Sequence, residues 1–489
     1  MVEQGLKDKT IKGTLWSAAD AFLGYGIRFI VGLVLARLLS PEEYGLIGIV
    51  IIFMTILEGF IDCGFSNSLI RRQSVSDDDY STLFYFNLST SMLMFSILFV
   101  GAPWIAEFFD RPQLIALCRV MGLLLIFQAL SIVQYTILSR NVDFKTKTKA
   151  SIFSAIISGT IGVVMAVMGF GVWSLVAQQL SKQFLFSICL WVLNKWWPKK
   201  KFSVDSLKYM WGFGWKIMLS GLLERVWSQL QQSVVGKYYS PYTLGQYTQS
   251  NEYASLFSSN LTAIIQRVTF PVLSKVQNDI PRMTAAYRRV IKTTMFVTAV
   301  CMISMAAVAE PLIYCLIGEQ WRDAAAYLPF LCISMSLYPL HAINLNMLQV
   351  QGRTDIFLYL EVIKKTIGII PVLLGIFVNI YWMLIGGIFT GFISFILNSY
   401  YTGIKLGYTS WMQLKDIAPS YGIAIIIATA VYFLKLLPFN YWIILPVQVL
   451  TGVIVLFCVC EKTKLSEYLE IKNLAKNAFV KIIENVKRK

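Results

Sequence analysis

The chain has few charged residues for its length. Of its 489 residues, 14% are Asp, Glu, Lys or Arg, 56% are hydrophobic, and the mean hydropathy is +0.62. Soluble domains carry about 25% charged residues because their surfaces face water. The composition therefore excludes a soluble protein and predicts an all-α integral membrane protein. Apolar runs of roughly 20 residues recur along the chain, whereas the short alternating segments of a membrane barrel are missing.

Residues that bind metals and nucleotides are also scarce. The sequence has one histidine, His341, and its eight cysteines lie in or beside apolar runs, as expected for small buried side chains. Cys458 and Cys460 lack zinc-site spacing, and no GxxxxGK[ST] phosphate loop occurs. We therefore predict no metal and no cofactor, with a gradient rather than bound ATP as any energy source. The polar start, 1–12, predicts no cleavable signal peptide.

Long loops on the predicted outer side are missing as well. Enzymes that polymerise or ligate lipid-linked sugars usually need charged residues on a sizeable external loop. The longest such stretch here, 310–327, has only Glu310, Glu319, Arg322 and Asp323 as charged residues. We therefore predict that the protein is not an enzyme, and a membrane polymerase or ligase is the less favoured alternative.

One sequence pattern occurs twice, at 36–45 (ARLLSPEEYG) and 236–245 (GKYYSPYTLG). Each copy joins two long apolar segments through Ser-Pro and ends in glycine. The Ser-Pro pairs are predicted to start the turn into the next helix and not to form the substrate site. A second repeated pattern, with Arg, Asp and Phe in the same order, occurs at 140–144 (RNVDF) and 353–357 (RTDIF). Such duplication is typical of a transporter built from two homologous halves.

The apolar runs predict fourteen membrane spans in two six-helix lobes plus two extra helices. The lobes cover 1–194 and 209–404, joined by a basic connector (195–208), and are followed by spans 13 and 14 within 405–460 and a basic tail (461–489). The predicted spans are 14–38, 44–69, 81–106, 113–138, 151–169, 172–194, 209–236, 243–272, 290–314, 327–350, 360–378, 381–404, 417–437 and 440–460. The two copies of each repeated pattern lie six predicted spans apart. Because six is even, both copies cross the membrane in the same direction. The repeat should therefore be parallel, with a pseudo-two-fold axis along the membrane normal.

The net charge of +16 is distributed unevenly. Lys and Arg concentrate in the loops on one side of the predicted spans, which places both termini in the cytoplasm. The positive charge then faces anionic lipid headgroups, so we predict membrane lipids and no nucleic acid as partners. The tail should lie on the inner leaflet, and the substrate path should run between the lobes.

Ionisable and amide side chains inside the spans are the candidate site residues. Charged side chains cost about 2.5–3.5 kcal/mol each at mid-bilayer and seldom face lipid. Arginine forks match phosphate oxygens, and amides suit sugar hydroxyls. Arg225, Gln229 and Gln232 share one face of the seventh span. The candidates for a substrate diphosphate are Arg28, Arg225, Arg267 and Arg119, and those for sugars are Gln229, Gln232, Asn344 and Gln266.

Four acids are candidates for ion coupling: Glu58, Asp62, Glu252 and Asp20. Glu58 and Asp62 lie four positions apart, on one helix face, where close carboxylates raise each other's pKa. Their alternative role is hydrogen bonding within the lobe. The arginines also have an alternative, since Arg28 can pair with Asp20, and Arg225 with Glu224, as locks between helices.

Several stretches resemble the bacterial oligosaccharide flippases of the Wzx type, in a branch similar to colanic acid exporters. They are 35–45, 62–71, 170–176, 270–277, 318–321 and 352–355. The resemblance covers about 10–460. It implies the MATE-like fold of multidrug/oligosaccharidyl-lipid/polysaccharide exporters, with a basic central cavity and alternating access, in the bacterial cytoplasmic (inner) membrane.

The resemblance also implies a function. It is the movement of undecaprenyl-diphosphate-linked oligosaccharide to the outer leaflet, for O-antigen, capsule or exopolysaccharide. Polysaccharide polymerase and chain-length machinery are candidate partners, and a monomer is the expected functional form because one chain contains both lobes. In this hypothesis Arg28 and Arg225 hold the diphosphate while Gln229, Gln232 and Asn344 contact sugar. A multidrug cation antiporter of the same fold is the alternative, but it would need an acid-dominated cavity.

Overall fold

The computed structural model describes residues 23–24, 26–199, 201–275, 279–351, 353–473 and 476. These residues form helices joined by short connections, with no β-strand among them. The predicted all-helical class is therefore confirmed. Asp20 and the end of the predicted tail lie outside the described residues.

The chain divides after Gly245 into two compact units. The helices of the first unit are α1 (26–38), α2 (Pro41–Ile61), α3 (Phe65–Arg71), α4 (Asp77–Phe108), α5 (Gln113–Met121), α6 (Leu123–Arg140), α7 (Phe144–Val167), α8 (Val172–Asn194), α9 (Val204–Tyr238) and the start of α10 (Pro241–Lys275). The predicted seventh span, on α9, thus packs within the first unit. The lobe boundaries proposed from the sequence stay a prediction.

The second unit continues α10 and ends beyond the last predicted span. Its further helices are α11 (Ile280–Ala307), α12 (Ala309–Ile317), α13 (Arg322–Ser336), α14 (Tyr338–Val350), α15 (Thr354–Phe377), α16 (Ile380–Leu406), α17 (Ser410–Phe433), α18 (Tyr441–Thr463) and α19 (466–473). Helices α11 and α17 pack together, as do α15 and α16. Buried apolar side chains around Tyr287 and Met347 form the core there.

Nine helical segments in the described part of the chain are long and apolar enough to cross a membrane. They are Pro41–Ile61, Asp77–Phe108, Gln113–Arg140, Phe144–Val167, Ile280–Ala307, Glu319–Val350, Ile380–Ile404, Ser410–Leu436 and Tyr441–Thr463. Helices α8, α9, α10 and α15 also coincide with predicted spans but are not in this set. The count of fourteen spans therefore stays a prediction.

Both Ser-Pro pairs start helices, as predicted. The Ser40 hydroxyl accepts a hydrogen bond from the backbone N–H of Glu43, whose carboxylate accepts from the Ser40 N–H, so α2 begins with a capping box. The Ser240 hydroxyl accepts from the backbone N–H of Thr243 at the start of α10. In each copy the proline occupies the first helical position, where no backbone N–H is needed.

The two Ser-Pro turns contact each other through their glycines. A Cβ added at Gly45 would lie 1.7 Å from the Pro241 carbonyl oxygen, and one added at Gly245 would lie 1.9 Å from the Pro41 carbonyl oxygen. No side chain fits at either position, because a real Cβ does not approach another atom within 3.0 Å. The sequence pattern is thus also a reciprocal backbone contact between the starts of α2 and α10.

The predicted second span, 44–69, is two helices rather than one. Helix α2 ends at Ile61 with Asp62 as its C-cap, and the next two residues, Cys63 and Gly64, have left-handed backbones with φ of 49° and 72°. Helix α3 then starts at Phe65. Gly64 adopts this conformation without steric cost, whereas Cys63 is strained. The break lies beside Asp62, one of the predicted site residues.

The start of the predicted tail packs on the protein. Helix α19 is joined to α11 by ion pairs from Arg289 to Glu470 at 2.8 Å and from Lys292 to Glu467 at 2.7 Å. Glu467 is 2% exposed. This segment is therefore held by side-chain contacts within the second unit. The predicted location of the tail on the inner leaflet did not include these contacts.

Candidate substrate and ion site

Arg225 lies at the centre of the candidate site, where α9 packs against α2. Its Nη1 donates a hydrogen bond to the backbone carbonyl of Thr55 at 3.1 Å and lies 3.9 Å from Oε2 of Glu58. The side chain of Arg225 is 41% exposed and that of Glu58 is 25% exposed. A proposed phosphate ligand and a proposed coupling acid thus form a single ion pair. Glu58 takes the role that the lock alternative gave to Glu224.

Gly59 allows α9 to approach α2 closely at this point. A Cβ at Gly59 would lie 2.6 Å from Cδ2 of Leu222 and 3.1 Å from Cδ of Arg225. A side chain there would push the α9 side chains away, and the Arg225 guanidinium with them. The absence of a side chain at Gly59 therefore allows Arg225 to contact Thr55 and Glu58.

The amides predicted beside Arg225 continue along α9. Gln229 and Gln232 are both half-buried, and Oε1 of Gln229 is buried without a hydrogen-bond partner in the structure. An unpaired buried amide oxygen is costly, about 1–3 kcal/mol. Gln229 therefore offers an acceptor for a ligand hydroxyl one helical turn from the guanidinium.

Asp62 has different neighbours from Glu58, although only four positions separate them. Its Oδ1 accepts hydrogen bonds from the backbone N–H of Ser66 at 3.1 Å and from the Ser66 hydroxyl at 2.6 Å. The Thr136 hydroxyl donates to Ser66 at 3.0 Å. The fully buried Asn87 faces Asp62, and both polar atoms of its amide lack a partner of good geometry.

This arrangement resembles a small cation site. A carboxylate, two hydroxyls and an unsatisfied amide surround the point where α2 is interrupted. The C-terminal end of a helix carries a partial negative charge, which favours a cation. Interrupted helices place coupling ions at such ends in other transporters. The two acids therefore separate into a partner for arginine and a candidate ion ligand.

Two predicted arginines of the first unit lie in other surroundings. Arg28 is exposed on α1, close enough to Lys182 on α8 for their charges to interact. Arg119 stacks on the ring of Phe99, with its Cζ 4.5 Å from the ring centroid. The roles proposed for both in diphosphate binding stay predictions.

The second unit contains the remaining predicted residues. Asn344 is fully buried: its Oδ1 accepts from the Tyr287 hydroxyl at 2.6 Å, and its Nδ2 donates to the Leu340 carbonyl at 2.9 Å. Both ends of the amide are hydrogen-bonded inside the core. The sugar contact proposed for Asn344 stays a prediction. Glu252 is exposed, Gln266 is half-buried, and the side chain of Arg267 is outside the described set.

Metal ligands do not cluster in the described part of the chain. No group of three or more His, Cys, Asp or Glu side chains there has the geometry to hold a metal ion.

A protein family described as "Polysaccharide biosynthesis protein" matches residues 34–326. The chain belongs to this family. The matched range includes α2, α9 and the Arg225–Glu58 pair. The resemblance to bacterial polysaccharide exporters is thereby confirmed.

Three relatives are named for the biosynthesis of a polysaccharide, and one of them is named as a transport protein. The chain is 27% identical over 322 residues to the succinoglycan biosynthesis transport protein ExoT of Rhizobium meliloti, covering 66% of this chain and 65% of the relative. It is 26% identical to the teichuronic acid biosynthesis protein TuaB of Bacillus subtilis, covering 61% and 62%. Thus it spans slightly less than two thirds of these two relatives. It is 22% identical to the lipopolysaccharide biosynthesis protein WzxC of Escherichia coli, covering 76% of each chain.

Solved structures support the fold. The lipid II flippase MurJ in an inward closed conformation has a TM-score of 0.69 at 15% identity, covering 92% of this chain and 97% of MurJ. An inward-facing multidrug resistance MATE transporter has a TM-score of 0.60 at 15% identity, covering 78% and 94%. The chain is therefore an integral membrane protein with a MATE-like fold.

The sequence prediction missed three contributors to the site. Thr55 acts through its backbone carbonyl, which no side-chain pattern reveals. Gly59 gives no signal of its own within an apolar helix. Asn87 is an amide inside the predicted span 81–106, so the sequence alone could have marked it as a candidate. Its proximity to Asp62 depends on how α4 packs.

Proposed function

We propose that this protein is a flippase that moves undecaprenyl-diphosphate-linked oligosaccharide from the cytoplasmic to the outer leaflet by alternating access. Membership of the polysaccharide biosynthesis family and a relative named as a succinoglycan biosynthesis transport protein support this function. The observation that carries the proposal is the half-exposed Arg225 on α9, whose Nη1 lies 3.9 Å from Oε2 of Glu58 in the candidate span Pro41–Ile61. A phosphate displaces such a partner readily, because it offers the guanidinium shorter, bidentate hydrogen bonds.

The proposed role of Glu58 follows from that exchange. In the absence of substrate, Glu58 and the Thr55 carbonyl hold the Arg225 guanidinium and limit the cost of its charge. A bound diphosphate takes the place of Glu58, and Gln229 accepts a hydrogen bond from a sugar hydroxyl. The arginine therefore changes partner rather than moving from an unpaired state.

Deletion of the gene tests the function directly. We expect lipid-linked oligosaccharide to accumulate on the cytoplasmic leaflet and surface polysaccharide to be lost, because the intermediate cannot reach the outer side. The measurement is extraction of lipid-linked intermediates, combined with their accessibility to periodate in sealed right-side-out vesicles. Unchanged intermediates together with altered drug tolerance would instead support a multidrug antiporter.

Asp62 is the residue we propose for ion coupling. Replacing Asp62 with Asn keeps an acceptor for Ser66 but removes the charge, so we expect gradient-driven export to fall roughly tenfold, within the usual range of coupling energies. Protein abundance should be unchanged. Vesicle assays with an imposed proton or sodium gradient measure the effect, with Asp78→Asn as control, since Asp78 lies 3.9 Å from exposed Lys201 and away from the break. Equal gradient dependence in both variants would contradict the assignment.

A further inference from the structure

A basic cavity lies at the end of α3, and Arg225 is not among its lining residues. It has a volume of about 440 Å³ and is lined by Ser68, Arg71, Arg72, Gln73, Tyr209 and Phe213. Ligand pockets commonly have volumes of about 300–1,000 Å³. The cavity contains Ser68 and Arg71, from the end of the stretch 62–71 that carries the family resemblance. Asp62 and Ser66, at the start of that stretch, belong to the site described above, whereas Ser68 and Arg71 do not.

Arg72 is fixed in this cavity by neighbouring groups. Its Nη1 lies 2.8 Å from Oδ1 of Asp79, and its guanidinium stacks over the Tyr209 ring at 4.6 Å from the centroid. Asp79 also accepts a hydrogen bond from the buried Ser206 hydroxyl at 2.6 Å. The charge of Arg72 is therefore balanced, and this arginine shapes the wall.

Arg71 is different because its charge is not balanced. Its guanidinium lies over the Phe213 ring at 5.2 Å from the centroid, and among the described residues it forms no ion pair. Stacking on an aromatic ring holds a guanidinium in place while leaving its N–H groups in the ring plane free to donate. Arg71 thus presents a pre-oriented fork for an anion.

The wall itself is held rigid by Arg140. Its Nη1 donates to the Leu69 carbonyl at 3.3 Å and its Nη2 to the Gln73 carbonyl at 2.6 Å. These bonds fix the backbone on both sides of Arg71 and occupy carbonyls that would otherwise repel an anion. Ser68 and Gln73 also line the cavity, and both residue types carry neutral hydrogen-bond donors.

The position of the cavity favours a lipid as the source of the anion. The candidate span Pro41–Ile61 ends shortly before α3. Tyr209 and Phe213 are both exposed, at 47% and 37%, and exposed aromatic side chains are typical of the membrane–water boundary. On the predicted topology this boundary is the cytoplasmic one.

We propose that this cavity binds the phosphate group of a membrane lipid through Arg71. Two lipids supply that chemistry, the diphosphate of the lipid-linked substrate before transport and the headgroup of an anionic phospholipid. The first rests on the proposed function, and the second does not. In the first case, the cavity is where the substrate headgroup is received.

Native mass spectrometry of the purified full chain in detergent tests the site. The probes are undecaprenyl diphosphate, phosphatidylglycerol and zwitterionic phosphatidylcholine. We expect Arg71→Ala to weaken binding of the anionic probe about tenfold, as for the loss of a charge-assisted fork. Arg71→Lys should be intermediate, and Phe213→Leu should weaken binding without removing charge. Arg282→Ala is the matched control, since Arg282 is exposed and outside this cavity.

The outcomes separate the two lipids and the two proposals. Weakened undecaprenyl diphosphate binding alone supports a substrate-receiving site, and weakened phosphatidylglycerol binding supports an anionic phospholipid site. Equal binding of both probes by Arg71→Ala, Phe213→Leu and the unaltered chain would overturn the site and leave the flippase function standing. If the unaltered chain binds no undecaprenyl diphosphate, the proposed function fails, and the phosphatidylglycerol measurements still decide the site.

Discussion

Replacing Arg225 with Ala is expected to abolish surface polysaccharide while leaving the protein in the membrane at near-normal levels. Partly exposed ion pairs contribute about 1 kcal/mol or less to stability, and the Arg225–Glu58 distance of 3.9 Å is long for a strong pair. Loss of the pair alone should therefore not unfold the chain. Hydrogen bonds to a charged phosphate are worth about 1.5–3 kcal/mol each, so losing two of them lowers substrate affinity by a hundredfold or more. Surface polysaccharide and membrane protein abundance are the two measurements.

A charge exchange distinguishes substrate binding from a structural lock. The double variant Glu58→Arg with Arg225→Glu restores an ion pair between α2 and α9. If the pair is only a lock, export should return in the double variant. If Arg225 holds the diphosphate, export should stay absent while protein abundance remains near normal, because the glutamate now on α9 repels phosphate. Recovered export would therefore contradict the role we propose for Arg225.

Arg225→Lys adds a graded control. Lysine keeps the positive charge but lacks the planar fork, so it cannot make two parallel bonds to one phosphate. We expect export between that of the unaltered protein and that of Arg225→Ala. Arg28→Ala should also abolish export if Arg28 holds the diphosphate together with Arg225. This variant tests whether a residue near Lys182 contributes to binding.

Replacing Gly45 with Ala is expected to prevent accumulation of folded protein. The new Cβ would lie 1.7 Å from a backbone oxygen of Pro241, and a backbone cannot rotate away as a side chain can. Overpacking usually costs about 1–3 kcal/mol, and this case should lie at or above the upper end. Thermal stability by fluorescence-detected size-exclusion chromatography measures the loss.

Gly245→Ala should have the same effect, since the contact is reciprocal. Gly221→Ala on α9 is the matched control, because a Cβ there meets no atom within 4 Å. Alanine also favours a helix over glycine by about 1 kcal/mol, so this variant should be at least as stable as the unaltered protein. Normal stability of Gly45→Ala and Gly245→Ala would show that the two turns do not touch.

Local sequence patterns were enough to predict the helical membrane class, the two helix starts at Ser-Pro and the side chains that share one face of α9. Composition alone indicated a helical membrane protein, because spanning helices need long apolar runs. The spacing of Arg225, Gln229 and Gln232 placed them together on α9, since helical periodicity depends only on neighbours along the chain. The quoted family stretches predicted the family that residues 34–326 match.

Long-range packing decided the rest, which no local pattern contains. Glu58 and Asp62 look equivalent in sequence, but α2 ends between them, so one contacts Arg225 and the other faces Ser66 and Asn87. The amide of an asparagine suits sugar hydroxyls, but the Oδ1 of Asn344 accepts a hydrogen bond from the Tyr287 hydroxyl inside the core. The sequence by itself determined which side chains share a helix face. Which helix faces meet was visible only in the tertiary structure. Those contacts join segments far apart in the chain, and they need a glycine, such as Gly45 or Gly59, where two helices approach closely.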